Sequence, residues 1–421
     1  MPVPAPVLTG ALALATALAL ALAPAPALAE AAPAAPPSVE EQRLGRAAPQ
    51  EILRRSGFDA VAPSFARALA RTESHRQARR VVERHGARLW ERAVDRAQGR
   101  GPLRGDLSRG DDRPLYWARL AMARELRLWE PDFTVDERGR ARLSDALETT
   151  SRGQDAIRFD RSARPERGEP LRILMTGFDP FTLDRDVRIG NPSGAAALAL
   201  DGTVVRTPRG LARIETAVFP VRWQDFTDGE VERTLRPHLD RVDLLTTVSQ
   251  GRPDRFDVER TNGAWRGGFP DNENLSQREQ VPVAEGPGPQ WTSSTLPAAA
   301  IVAASTGRFP VRDNRGVTEV PAGATAPVDR VDGPTSGSTA RAGGGGDYLS
   351  NEIAYRATLL RDRFGPASLP AGHLHTPVLR FGAGNTDPAT GTVTDPEFQR
   401  NRQDIVDQVR AVLSVAVSAA R

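Results

Sequence analysis

The chain has 421 residues, 39% of them hydrophobic, which is enough apolar material for a packed core and too long for one average domain. Its 56 basic residues are all Arg and face 53 acidic ones; the formal charge of +3 divides into +6 over residues 30–165 and −3 over 166–421, too weak an asymmetry to argue for nucleic acid. With no cysteine, five histidines and no Lys, the composition excludes disulfides, thiolate-ligated metal and a P-loop, and argues against a zinc centre.

Residues 1–29 read as a secretory signal peptide. The Ala/Leu run from Ala11 to Ala23 is too short to cross a bilayer, and Ala27-Leu28-Ala29 fits a small-x-small cleavage site. Export with cleavage after Ala29 is expected, although the first ten residues lack the usual basic charge. A Pro/Ala linker covers residues 30–38. An all-helical accessory region is expected over 39–165. Within it, Glu73 to Gln98 places Val81, Val82, Leu89, Trp90 and Val94 at helical spacing, with Gly86 as a candidate kink. Pro114 to Trp129 reads as a second amphipathic helix, with Pro114 in its first turn.

The pattern changes at Pro170. Strands are expected at Leu171–Gly177, Ile214–Val221 and Val242–Val248, with helices near Ser193–Leu200 and Gln224–Leu239 between them. Residues 306–345, rich in Gly, Pro, Ser, Thr and Arg, read as a long flexible insertion, either mobile or a lid. A helix at Asp347–Arg361, a strand at His375–Phe381 and a C-terminal helix at Asp395–Ala420 follow. This alternation over residues 166–421 predicts an α/β layered domain with a mostly parallel sheet.

Three remote stretches carry the parts of an acyl-transfer triad: a carboxylate in Asp257–Arg260, a hydroxyl in Tyr348–Asn351 and an imidazole in Gly372–Pro377. Ser350 lies just past a Gly-rich turn near a helix start. Backbone amides there could hold an oxyanion, and a simple helix-capping role suits the position equally. His373 and His375 are expected on opposite faces of a strand, so they do not share a metal and one of them faces the crevice. Phe178 and Phe181 follow the first strand, where α/β folds build ligand crevices; a flat pocket and ordinary core packing both fit them. Gln250 follows the third strand and carries an amide suited to reading a lactam or amide group.

Residues 170–420 resemble pyroglutamyl-peptidase I, the pyrrolidone carboxyl peptidases. The family opening T-G-F-x-P-F then N-P-S is matched by Thr176–Phe181 and Asn191-Pro192-Ser193. The strand ending L-P-V is matched by Phe219-Pro220-Val221, and G-Q-A-G-G-R, shortened, by Ser249-Gln250-Gly251-Arg252. V-E-R, P-D-N and T-L-P recur as Val258-Glu259-Arg260, Pro270-Asp271-Asn272 and Thr295-Leu296-Pro297. The helix start A-G-T-Y/F-V/L-C-N is matched by Gly345–Asn351, and the strand G-F-I-H-V/I-P by Gly372–Pro377. The resemblance implies a three-layer α/β/α open sheet and a cofactor-free, metal-free amidase that removes an N-terminal pyroglutamyl residue. It implies that the family's nucleophilic Cys, base His and orienting Glu fall on Ser350, His375 and Glu259. It places Phe178 and Phe181 around the ring and Gln250 on the lactam, with Phe269, Tyr348 and Leu349 completing the substrate site.

Two departures stand out. The nucleophile is Ser, a far weaker acid than Cys. The family's Arg before I-P-D-N is replaced, with Gly267-Gly268-Phe269 preceding Pro270 and Arg266 slightly upstream. Two functions are therefore carried forward: a secreted Ser-His-Glu hydrolase of peptides or small amides, and a catalytically inactive binding protein on the same scaffold. Neither implies a nucleic-acid or membrane partner once the signal is cleaved, and the sequence sets no oligomeric state.

Overall fold

The computed structural model describes residues 1–5, 36–159, 169–284 and 286–419. The expected signal peptide beyond residue 5, and most of the 30–38 linker, lie outside them. Six helices come first: α1 (Val39–Leu44), α2 (Ala47–Ser56), α3 (Val61–Leu69), α4 (His75–Ala97), α5 (Arg113–Leu128) and α6 (Glu137–Ser151). Ser38, Ser74 and Asp136 each accept a first-turn amide and so start α1, α4 and α6. Helix α4 runs unbroken through Gly86. A Cβ there would stand 1.9 Å from Thr150 Oγ1, so this glycine permits close approach of α6.

The second part follows in the order β1 (Leu171–Phe178), α7 (Pro192–Leu200), β2 (Val204–Thr207), β3 (Gly210–Phe219), α8 (Trp223–Thr227), α9 (Glu230–Leu235), β4 (Leu244–Gln250), β5 (Phe256–Glu259), β6 (Thr261–Gly263) and β7 (Trp291–Ser293). It continues with α10 (Ala298–Ala303), β8 (Val311–Asn314), β9 (Val317–Val320), β10 (Val328–Arg330), β11 (Thr339–Ala342), α11 (Leu349–Phe364), β12 (Ala371–Thr376) and α12 (Pro396–Ala419). The main sheet has the order β2-β3-β1-β4-β12-β5-β8. Its central strands β3, β1, β4 and β12 are parallel, while β2 and β5 run antiparallel to their inner neighbours.

Alternation along each strand assigns the two faces. Ile173 and Met175 share one core with α7, α10, α12 and the N-terminal helices, whereas Leu174 and Phe178 join α8, α9 and α11 in a second. The fold is therefore a three-layer α/β/α open sheet with an all-helical N-terminal region. The described residues from 36 onward form one compact unit, in which the six helices share a hydrophobic core with the sheet.

Three expected elements differ. The helix at Gln224–Leu239 is broken because Gly229, at φ +78°, ends α8 and starts α9. The strand expected at His375–Phe381 starts earlier and stops at Thr376, since Pro377 has no amide for the ladder. The segment 306–345, expected as a long flexible insertion, carries four strands. β8 extends the main sheet, and β10-β9-β11 form a small antiparallel sheet around buried Glu319, which accepts from Thr335 N, Thr335 Oγ1 and Arg330 Nε.

Between the helical region and the sheet lies Asp112, fully buried with one oxygen accepting the Asn191 amide at 2.7 Å. Burial, and then the neighbouring Asp111 carboxylate, push Asp112 up to about 7. The folded state thus binds this proton more tightly than the unfolded chain. The stabilisation is complete below the ordinary carboxyl range and is lost as pH rises through about 7. The thermal midpoint should fall between pH of about 5 and about 8, and Asp112→Asn should flatten that slope. Calorimetric scans across this range measure both slopes; parallel slopes for the two proteins would refute the assignment.

Candidate active site

Ser350 is the second residue of α11. The residue before the helix is Tyr348, whose carbonyl takes the Asn351 and Glu352 amides at 2.9 and 3.0 Å. Among the described residues, the Leu349 and Ser350 amides donate to no protein group, so the positive end of a 16-residue helix opens here. The Ser350 hydroxyl does not cap the helix. It donates outward to the Gly345 carbonyl at 3.1 Å.

His375 sits on β12, paired in register with Ser249 of β4 and Asp257 of β5. Its Nδ1 meets Glu259 Oε1 at 2.7 Å. Glu259 is fully buried, and its other oxygen accepts from Asn314 Nδ2 at 2.6 Å. A buried carboxylate needs such donors, and here they also fix its direction. An Nδ1–H donating to this carboxylate would leave Nε2 with its lone pair free.

The run Gly343–Gly346 is packed against this pair. A Cβ at Gly343 would lie 2.1 Å from Asn351 Oδ1, and one at Gly344 would lie 2.3 Å from Glu259 Oε2. One at Gly345 would lie 3.1 Å from His375 Cε1, while Gly346 takes φ +87°. Gly345 thus lies beside the imidazole and holds the Ser350 hydroxyl with its carbonyl.

Beside Ser350 is a narrow cleft of about 30 Å³ lined by Phe178, Phe181, Asn191, Val221, Ser249, Gln250, Tyr348, Leu349 and Ser350. The structure therefore gathers Phe178, Phe181, Gln250, Tyr348 and Leu349 around the serine. Phe269 is not in the lining. It is half exposed, with its ring 5.2 Å from that of Tyr348 at the outer edge. Burial, then Asp271, hold the Tyr348 phenol above its ordinary value, and its hydroxyl donates to the Pro270 carbonyl at 3.1 Å. Arg266 is fully buried and pairs bidentately with Glu352 at 2.6 and 2.7 Å, bracing the first turn of α11 from below.

The expectation that His373 and His375 face opposite sides is corrected. Strand side chains alternate with period two, so residues i and i+2 share a face, and the two rings are in contact with centroids 4.6 Å apart. His373 is the inner one, fully buried between Thr247 Oγ1 at 2.7 Å and Ser249 Oγ at 2.8 Å. Burial, then His375, hold its pKa well below the usual range, so it is neutral.

Sequence reasoning did not single out Asn314, Ser249, Asn191 or the glycine run as site residues. The four consecutive glycines were the visible signal, since one turn needs one or two.

The family model of the PA0049 N-terminal domain matches residues 21–148, and that of the PA0049 C-terminal domain matches residues 172–284 and 311–380. The uncharacterized protein PA0049 of Pseudomonas aeruginosa is 33% identical over 462 residues, covering 86% of this chain and 83% of that protein. The chain belongs to the PA0049 family. Among solved structures, a point mutant of the pyrrolidone carboxyl peptidase of Pyrococcus furiosus is similar over 59% of this chain and 99% of its own, at 21% identity and TM-score 0.40. The pyroglutamyl peptidase I of Bacillus amyloliquefaciens is similar over 59% and 98%, at 19% identity and TM-score 0.40. In this PA0049-family chain the helical match ends before β1, and the second match spans every residue named above in the cleft and in the His375–Glu259 pair.

Proposed function

We propose that the protein is a hydrolase that removes an N-terminal pyroglutamyl or closely related group through Ser350, His375 and Glu259. The observation that carries this reading is the 2.7 Å contact of His375 Nδ1 with a buried carboxylate, set beside a serine at an open helix N-terminus. The ordered motifs quoted above support the same substrate class. In the reaction, the Ser350 hydroxyl turns from the Gly345 carbonyl to His375 Nε2. Its oxygen attacks the acyl carbonyl while the proton passes to the imidazole. The Leu349 and Ser350 amides hold the oxyanion. His375 then protonates the leaving amine, and water repeats the sequence to free the acid.

The acid's part is tested by Glu259→Gln, which keeps the shape but removes the charge that fixes the imidazole proton. It should lower kcat toward a fluorogenic pyroglutamyl amide by about 10²- to 10⁴-fold with little change in KM. Equal kcat in the variant would remove Glu259 from the mechanism.

One observation favours a second reading. The Ser350 hydroxyl is bonded to Gly345, not to His375, as in a binding protein that keeps the cleft without the chemistry. We further propose that the protein is exported, on the strength of the Ala11–Ala23 run and the Ala27-Leu28-Ala29 site. N-terminal sequencing of secreted material tests this.

A further inference from the structure

Away from the cleft, a cavity of about 530 Å³ opens where the end of α4 meets α7 and α12. It exists because small residues, Ala97, Gly110, Ala195 and Ala199, stand along its walls. Its charged lining is Arg100, Arg402 and Arg410, and no carboxylate is among the lining residues. Arg402 is buried, and its Nη1 and Nη2 make no hydrogen bond among the described residues. Its ion pair with Asp111 is loose, 3.4 Å from Nη1, because both Asp111 oxygens already bond Arg113 at 2.6 and 2.8 Å. Arg96, also buried beside this group, spends its terminal nitrogens on the Arg109 and Leu107 carbonyls and leaves Nε without a partner among the described residues. Three buried guanidiniums thus draw on Asp111, with Asp112 next to it pushed up to about 7 by burial. Burial, only partly offset by Asp111, brings Arg96 down to about 10 and lowers Arg402 as well. Buried cations short of countercharge are unfavourable, and an anion in the adjoining cavity would supply it.

We propose that this cavity binds a small anion carrying phosphate or carboxylate oxygens, drawn by the buried charge around Arg402 and held at the mouth by Arg100 and Arg410. The planar guanidinium fork matches two oxygens of either group. Arg100 and Arg410 are about half exposed and paired with Asp95 and Asp407 at the surface, contacts that give way to a ligand at little cost. The volume lies in the range of small-molecule sites, which favours an organic anion with more than one acidic group over a bare ion. The walls come from the N-terminal helical region on one side and from α7 and α12 on the other, so a bound anion bridges the two. No residue of this cavity lines the cleft beside Ser350, and the inference does not depend on the hydrolase reading.

The test is binding, not turnover. Calorimetric titration and thermal unfolding of the purified protein are run with inorganic phosphate and with citrate, each against sodium chloride at equal ionic strength. At least one of the two anions should bind saturably and raise the thermal midpoint, and chloride should do neither. Binding of phosphate alone assigns a phosphate group to the ligand; binding of citrate alone assigns carboxylates. Arg402→Met keeps most of the side-chain volume and removes the charge, and it should weaken binding by about tenfold or more. Arg100→Gln combined with Arg410→Gln leaves the buried arginines in place and should weaken binding by about fivefold. Because those two positions are at the surface, this variant carries the test even if Arg402→Met does not fold. No saturable binding of either anion by the parent, an equal response to chloride, or unchanged affinity in the folded variants overturns the proposal.

Discussion

Ser350→Ala should lower kcat/KM toward a fluorogenic pyroglutamyl amide by about 10³-fold or more, the scale on which serine hydrolases lose their nucleophile. It should also abolish covalent labelling by a phosphonofluoridate probe, read as an added mass on the peptide carrying residue 350. The fold should be untouched, because the hydroxyl's sole hydrogen-bond partner among the described residues is the Gly345 carbonyl. Ser350→Cys is the informative companion. A thiol beside an imidazole and a helix N-terminus ionises far more readily than a hydroxyl, so the Cys protein should match or exceed the parent. Three outcomes separate the readings. Loss in the Ala protein with labelling in the parent supports the hydrolase. Activity only in the Cys protein means the scaffold is competent and the hydroxyl limits it. Silence from all three folded proteins leaves a binding protein.

How much of this could be read in advance follows from the range of the interactions involved. β1, α4, α5 and α12 were legible because each carries its own periodicity and stop signals within some twenty residues. Glu259, Ser350 and His375 were legible as residues, since few hydroxyl–imidazole–carboxylate combinations exist in a chain with five histidines. Their geometry was not. The Asn314 contact that directs Glu259 spans 55 positions, and no local pattern encodes it. The β9–β11 sheet was hidden because its strands are only three or four residues long and, apart from Val317–Val320, carry little apolar pattern inside a Gly- and Pro-rich stretch. The four glycines were visible but were read for flexibility. Two of them, Gly343 and Gly344, are instead required by contact, since a Cβ there would strike Asn351 or Glu259, and Gly346 by its φ of +87°. The His373 error had a different origin, a slip of one in the strand period. Placing both imidazoles on one face is what makes the Ser249–His373 pair.

Asp179→Ala should destabilise the folded protein by about 3–5 kcal/mol, the cost of leaving buried charge uncompensated. Asp179 lies in the turn between Phe178 and Phe181, the two aromatics of the cleft. One of its oxygens accepts from Arg119 Nη2 at 2.5 Å and from Arg152 Nε and Nη2 at 3.1 and 3.0 Å. All three side chains are nearly inaccessible, and Arg119 has no other hydrogen-bond partner among the described residues. Both guanidiniums come from the N-terminal helical region, Arg119 from α5 and Arg152 from the end of α6. The neighbouring turn is tied the same way. Asn272 donates to the Pro180 carbonyl at 2.9 Å and to Glu40 of α1 at 3.2 Å, and Glu40 also accepts from Tyr116 of α5 at 2.7 Å. These helices therefore set the position of the aromatic wall. Substrate affinity should fall in Asp179→Ala even at temperatures where it remains folded. Glu83→Ala is the control: its pair with Arg79 is exposed on both sides, and its loss should cost less than about 1 kcal/mol. Denaturant titration compares the two variants directly. If Asp179→Ala unfolds no more readily than Glu83→Ala, the helical region is a passive appendage and the cleft is shaped by the sheet alone.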